Sequence, residues 1–295
     1  MSNTKLAILI LAHRDVEHLN RLIRKLQHPD IEIFVHVDAK CGPCYRSRIS
    51  NDVYILPQED CFDISWGGME MVYATVSLLR YAVVHGSFTH YALISGQDYL
   101  VKSANDLVAL LSKNDGDYLN ILPDELRFIS RYSLYYPKWL LGKQPWKRPV
   151  RTAYKMVGAG LFPNIFCRRD CPTNRFHCGQ QWWVLRGGPV RWILGEIERN
   201  PSWFAFFSHS QIPDEGFFQT LYCLSPFSGS DLGNLTYADW SGRGPSPELL
   251  SERHFDEIML SGKFFARKMD SVISKTLLDK VDRVCGLPVM GGSNA

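Results

Sequence analysis

Among the residues able to do chemistry, Glu215 has the most telling setting. It lies in Ser-Gln-Ile-Pro-Asp-Glu-Gly-Phe-Phe-Gln-Thr-Leu, residues 210–221. Pro213 and Asp214 are good helix starters, and Phe217, Phe218, Leu221 and Tyr222 recur at helical spacing. A Glu in that first turn faces the positive end of the helix, a setting suited to a carboxylate. A preorganised carboxylate is what a general base needs to take a proton from a hydroxyl. Acidic residues also collect in first turns for electrostatic reasons alone, and the local pattern by itself favours that structural reading.

Other motifs carry less. Cys41-Gly42-Pro43-Cys44 has the form of a redox dithiol. No Trp precedes it and a whole βα unit comes first, so a reduced surface turn is the better reading. Asp115-Gly116-Asp117 has the Asp-x-Asp form that holds a divalent metal in many nucleotide-sugar transferases. Here it precedes a strand instead of following one, and Asn-Asp-Gly-Asp is turn chemistry. Cys167, Cys171, His177 and Cys178 are zinc-type ligands at no standard zinc spacing. Gly67-Gly68 after Ser65-Trp66 opens a helix whose free N–H groups suit a phosphate or a sugar, but lacks the full dinucleotide fingerprint. Trp182 and Trp183 on one strand put an indole on each face, one for the core and the other equally suited to stacking on a sugar or to an apolar core.

These residues need elements to hold them. Residues 5–12 form an apolar strand, Asp15 is a plausible N-cap, and Val16, Leu19, Leu22, Ile23 and Leu26 share one helical face. Strands are predicted at 31–37, 53–56, 90–95, 118–122 and 181–185. Helices are predicted at 69–84, with Met71, Val72, Thr75, Val76, Leu79 and Val83 inward, and at 103–111, 189–197 and 247–260. Ser103 with Asp106 reads as a capping box. This βαβα order predicts a mostly parallel sheet covered on both faces, with ligands beyond the carboxyl ends of its strands. His13, Arg14, Asp38, Gln97 and Asp98 fall there. Residues 127–180, rich in Arg, Lys, Tyr, Trp and Pro, lack clean periodicity and read as long functional loops with short helices.

Composition sets the outer bounds. With 295 residues, 45% hydrophobic and 21% charged, the chain can bury a sizeable core without disulfides or metals. A formal charge of +3 is too small to argue for nucleic acid. No secretory signal is visible, and the first apolar run is too short to span a bilayer. A cytosolic location with mostly reduced cysteines is expected; peripheral contact at the inner face of the membrane stays open.

Several segments, taken in order, resemble the core-2/I-branching glycosyltransferases, the β-1,6-N-acetylglucosaminyltransferases and their peptide O-xylosyltransferase relatives. They are Ala12-His13, His36-Val37-Asp38-Ala39-Lys40, Ser65-Trp66-Gly67-Gly68, Ser95-Gly96-Gln97-Asp98-Tyr99 and Gly179-Gln180-Gln181-Trp182-Trp183. They continue with Pro213-Asp214-Glu215-Gly216-Phe217-Phe218, Ala238-Asp239-Trp240 with Ser246-Pro247, and Phe265-Ala266-Arg267-Lys268-Met269-Asp270.

The resemblance implies an α/β, GT-A-like single domain over residues 1–295, with a mostly parallel central sheet flanked by helices. Residues 1–125 would be its nucleotide-binding half and 126–290 its acceptor-binding and catalytic half. It implies a metal-independent, inverting transferase without cofactor, moving a sugar from a UDP-sugar to an oligosaccharide or polysaccharide hydroxyl. N-acetylglucosamine is the first choice of sugar and xylose the second; a non-catalytic glycan- or nucleotide-binding protein is the rival. The animal members' membrane anchor is not seen, so a bacterial enzyme of surface-polysaccharide synthesis is expected. By the same resemblance Glu215 is the base and Lys268 the cation for the leaving diphosphate. An Arg that often precedes the Asp-Trp pair is missing, which leaves Arg243 as the second cation, with Arg267 and Arg253 behind it. His13, Asp38, Ser65, Trp66, Gly67 and Asp98 would bind the donor. Arg127, Arg131, Tyr135, Tyr136, Trp183 and Trp240 would bind the acceptor.

Overall fold

The computed structural model describes residues 4–123, 130–142, 144–160, 172–173, 175–242, 244 and 246–286. Arg127, Arg243, Cys167 and Cys171 lie outside the described residues.

Five strands build the central sheet: β1 (Leu6–Ala12), β2 (Ile31–Val37), β3 (Tyr54–Ile55), β4 (His90–Ser95) and β6 (Trp183–Arg186). Their order is β3-β2-β1-β4-β6, parallel except for β6, which runs antiparallel to β4. All seven residues of β1 are buried, because the sheet is covered on both sides. Leu6, Ile8, Ile10 and Ala12 pack with Leu19, Leu22 and Ile23 of the helix Val16–Lys25 and with Leu277, Leu278 and Val281 of the helix Lys275–Cys285. Ala7, Leu9 and Leu11 face Val72, Val76 and Leu79 of the helix Glu70–His85. The same cluster takes in Val190 and Ile193 of the helix Gly187–Arg199 and Phe217 and Leu221 of the helix Phe217–Leu224. The period-two alternation of one strand thus feeds two separate cores.

A second, smaller sheet positions the site. It joins β5 (Asp98–Leu100), β8 (Phe265–Arg267) and β7 (Thr236–Ala238) in the order β5-β8-β7. Because β5 follows β4 after a two-residue turn, β8 carries residues 267 and 268 to the carboxyl end of β4. Pairing of Asp98 with Arg267 fixes that register. The helix Lys275–Cys285 is tied back to the first helix and to β5: Arg21 donates to Asp279 at 2.8 Å and to Asp282 at 2.7 Å, and Tyr99 Oη donates to Asp282 at 2.7 Å.

The local signals hold where they are self-contained. Asp15 caps its helix by accepting the His18 N–H at 3.0 Å, and Ser103 and Asp106 form the capping box of Ala104–Lys113. Three expectations need correction. Residues 118–122 make only isolated bridges at Tyr118 and Ile121, because the Asp231 carboxylate accepts the N–H groups of Leu119, Asn120 and Ile121 and Asn120 turns left-handed at φ 57°. The helix expected over 247–260 starts only at Phe255, after a 3-10 turn at Glu252–His254. Before it the chain is held along its length, with Glu248 N–H donating to Asp239 O at 2.9 Å and Leu250 N–H to Lys268 O at 2.8 Å. In Glu70–His85, Val83 points outward and is 38% exposed.

Candidate functional site

A cleft of about 340 Å³ opens at the carboxyl ends of β1, β2 and β4. Leu11, Ala12 and His13 come from the end of β1, Asp38 from the end of β2, and Ser95 and Gln97 from the end of β4. Asp38 is nearly buried and both shapes its turn and lines the cleft: its Oδ1 accepts the Lys40 N–H at 2.9 Å. His13 stands at the rim. Burial lowers its pKa, Arg14 and Lys268 push the same way, and Asp38 opposes them.

Lys268 enters the lining from the small sheet, with Arg267, Ala238 and Trp240. Its backbone is anchored on both sides, through its own carbonyl to Leu250 and through Met269 N–H to Gln97 O at 2.8 Å. The Arg267–Lys268 peptide is cis. Trp240 is half exposed, on a turn braced by Asp239, which accepts from Ser241 N–H at 2.8 Å and contacts His254 Nε2 at 3.2 Å.

Asp98, expected at the donor, is instead fully buried beneath the cleft. Its Oδ2 accepts the Ser95 N–H at 2.9 Å and its Oδ1 accepts from Arg267 Nε at 2.9 Å. Burial raises its pKa despite the Arg267 charge. Arg267 also lies over the Trp182 ring, 4.4 Å from its centroid. Asp98 therefore holds the segment that bears Lys268. Arg267, a fallback for the second cation, lines the cleft while tied to Asp98; Arg253 donates to the ring of His254.

The acidic pair of the cleft is Asp214 and Glu215. They sit on a 3-10 turn, Pro213–Glu215, that precedes the helix Phe217–Leu224, so Glu215 lies just outside the helix proper. The turn starts from Ile212 at φ 51°, a left-handed conformation that costs a β-branched residue roughly 1–2 kcal/mol. Gly216 is required by close approach, since a Cβ there would stand 2.2 Å from Tyr132 Oη. Glu215 Oε2 accepts from Arg131 Nη1 at 2.7 Å, and its carbonyl accepts the Gly179 N–H at 2.9 Å. Asp214 is 9% exposed and burial, reinforced by the Glu215 charge, pushes its pKa up to about 7. Its Oδ1 and the Nε2 of Gln181, both buried in residues of the cleft wall, have no hydrogen-bond partner among the described residues. Such groups are normally satisfied, which makes these two exceptions in the cleft wall.

The acceptor assignments divide. Arg131 holds Glu215 and lines an adjoining cavity. Tyr135 is exposed and stacked on His209 outside the cleft lining, while Tyr136 is fully buried with its hydroxyl donating to Ser130 O at 2.9 Å. Trp183 is core, packed on Phe218; the indole in the cleft is Trp182, one residue earlier. Trp66 lines the cleft and both neighbouring hollows, Gly67 the adjoining cavity, and Ser65 a third hollow. Gln180, Gln181 and Asp214 are among the polar cleft residues to which the sequence reasoning gave no role.

Two of the competing motifs, the Asp-x-Asp segment and the Cys41–Cys44 dithiol, resolve into structure. Asp117 is fully buried and accepts from Arg186 N–H at 2.7 Å, Arg186 Nη2 at 2.9 Å and Tyr222 Oη at 3.1 Å. Asp115 pairs with the same Arg186. Cys41 donates its thiol to the His13 carbonyl at 3.0 Å, and burial raises its pKa, the opposite of an activated dithiol. Cys178 is buried against Tyr132 Oη at 3.4 Å.

The chain is similar to known proteins to different degrees. The chain is 23% identical to Xylosyltransferase 2 of Rattus norvegicus over 94% of its own length and 33% of that protein's. To Xylosyltransferase 1 of Homo sapiens it is 21% identical, covering 94% of this chain and 30% of that protein. It thus spans about a third of the length of these relatives. Among solved structures, the WbbM bifunctional glycosyltransferase aligns over 98% of this chain and 50% of that one, at 9% identity and TM-score 0.42. Mouse xyloside xylosyltransferase 1 aligns over 89% and 97%, at 8% identity and TM-score 0.34. The family model described as Core-2/I-Branching enzyme matches residues 6–260, which take in the central sheet and most of the cleft lining but not β8, Arg267 or Lys268. The chain belongs to the Core-2/I-branching enzyme family.

Proposed function

We propose that the cleft transfers a sugar, with inversion, from a UDP-sugar to a glycan hydroxyl on a GT-A-like fold. One observation carries this reading: Glu215 and Lys268 line a single cleft at the strand ends where a nucleotide belongs in an open α/β sheet. Glu215 takes the proton of the acceptor hydroxyl as that oxygen bonds to the anomeric carbon. The bond from that carbon to the diphosphate breaks on the opposite face, and Lys268 stabilises the charge that grows there. No covalent enzyme intermediate is needed.

UDP-N-acetylglucosamine is the first donor to test. The relatives named xylosyltransferases support UDP-xylose as the second. Thermal unfolding against a panel of UDP-sugars tests the reading, since a ligand that binds only the folded state raises its melting temperature. Protection by one UDP-sugar beyond that by UDP alone is expected. No protection by any uridine nucleotide would overturn the proposal, and a larger shift with UDP-xylose would reverse the order of donors.

The reaction runs without a divalent metal in this reading, because both carboxylates of the Asp-x-Asp segment are held by Arg186. Turnover should persist in excess chelator; loss restored by manganese would contradict it. No helix among the described residues is long and apolar enough to cross a membrane. Surface-polysaccharide synthesis at the cytoplasmic face, with peripheral membrane contact, completes the proposal.

A further inference from the structure

Beside the cleft lies a second cavity of about 250 Å³ whose charge is one-sided. Arg131, Arg148, Arg151 and Lys155 line it, and no acidic side chain does so among the described residues. Three of these cations come from the helix Lys147–Gly160, with Arg148, Arg151 and Lys155 at helical spacing on one face. Arg151 is set in place by donating Nη1 to the carbonyls of Gly142 at 2.7 Å and Leu140 at 3.3 Å, which orients the guanidinium without neutralising it. Burial lowers the pKa of Lys155, and the charges of Arg131 and Arg151 lower it further. Like charges gathered at one wall repel, and an anion bound among them removes that cost.

The cavity is continuous with the chemistry. Trp66 and Ile212 line both it and the cleft, and Arg131 reaches from its wall to Glu215 at 2.7 Å. The partly exposed Trp66 indole stands at the junction, and indoles suit the C–H side of a pyranose. A saccharide whose hydroxyl lies at Glu215 therefore has its neighbouring residue directed into a cationic socket. We propose that this cavity is an acceptor subsite for an anionic sugar, gripping the carboxylate of a uronate or the ester of a phosphorylated residue. The proposal rests on the transfer reading above for its meaning as an acceptor site. The cleft's diphosphate cation, Lys268, is not among the residues of this cavity.

The test uses the full chain, wild type and the double variant Arg148→Ala/Lys155→Ala. The probes are a hyaluronan tetrasaccharide, a phosphorylated oligomannose, neutral chitotetraose and UDP. Titrations followed by tryptophan fluorescence should show one acidic probe binding at least about tenfold more tightly than chitotetraose, the size expected of one charge-assisted contact. The hyaluronan and phosphomannose arms tell the carboxylate from the phosphate. In the double variant that preference should disappear while UDP affinity stays unchanged, which also shows that the variant is folded. The charge-keeping variant Arg148→Lys/Lys155→Arg should retain the preference. Equal binding of acidic and neutral probes, or an undiminished preference in the double variant, overturns the proposal. So does a fall in UDP affinity in a double variant whose circular dichroism and melting temperature match wild type, which would make the cavity the diphosphate site. Wild-type protein that binds acidic saccharide but not UDP would sink the transfer reading and leave the anionic subsite standing.

Discussion

Replacing Asp214 by Asn should make the protein more stable in mildly alkaline solution and should flatten part of its dependence on pH. Asp214 is nearly buried, its Oδ1 has no hydrogen-bond partner among the described residues, and burial beside Glu215 pushes its pKa up to about 7. An ordinary Asp value is 3.8. The folded state thus keeps a proton that the unfolded chain gives up, so stability falls as pH rises between those two values and levels off above the upper one. The whole interval is worth about 4 kcal/mol, of which about 3 kcal/mol falls between pH 5 and 8. Asn keeps the shape and carries no charge, so the variant lacks this loss while all other titrations remain shared. The assay is equilibrium urea unfolding of both proteins at steps from pH 5 to 8. The expected result is a difference in unfolding free energy that grows in favour of Asp214→Asn as pH rises. Curves that run parallel across the range would refute the reasoning, because they would show Asp214 ionising with its ordinary affinity.

Other perturbations follow from the same contacts. Asp98→Ala leaves Arg267 unpaired from it in the cleft wall and should cost about 3–5 kcal/mol in urea unfolding, as expected when one partner of a buried ion pair is removed; a cost well under 1 kcal/mol would show that the pair does not hold β5 against β8. Lys268→Ala should lower turnover on the best UDP-sugar by roughly a hundredfold or more. Unchanged turnover would remove it as the leaving-group cation. Cys41→Ser/Cys44→Ser should keep near wild-type turnover, since a serine hydroxyl can still donate to the His13 carbonyl; abolished activity would restore the dithiol reading.

What was legible in the residues is what local chemistry decides. The unbroken apolar run of β1, the Asp15 cap and the Ser103–Asp106 box each specify themselves, and the structure keeps them. The strand-end positions of His13 and Asp38 followed from the βαβ order alone. Failures came where a distant partner decides. Asp231 takes the N–H groups of residues 119–121, so an apparent strand becomes two bridges. Asp98 reads as a ligand contact until β8 arrives beside β5 and brings Arg267 onto it. Trp182 and Trp183 differ by one step of a period-two pattern, and only the packing of Phe218 reveals which indole is core. The pairing of Glu215 with Arg131 has no local signal, because the two residues meet only through the fold.

The central claim is that Glu215 is the base of a sugar transfer. The direct measurement is the turnover of Glu215→Gln on the UDP-sugar selected by thermal protection, with UDP affinity titrated on the same preparation. Gln fills the same space but cannot accept the acceptor's proton or pair its charge with Arg131. Turnover should fall by about a hundredfold to ten-thousandfold, with UDP bound as in the wild type. Turnover within a few-fold of wild type, on a variant that binds UDP normally, would contradict the account.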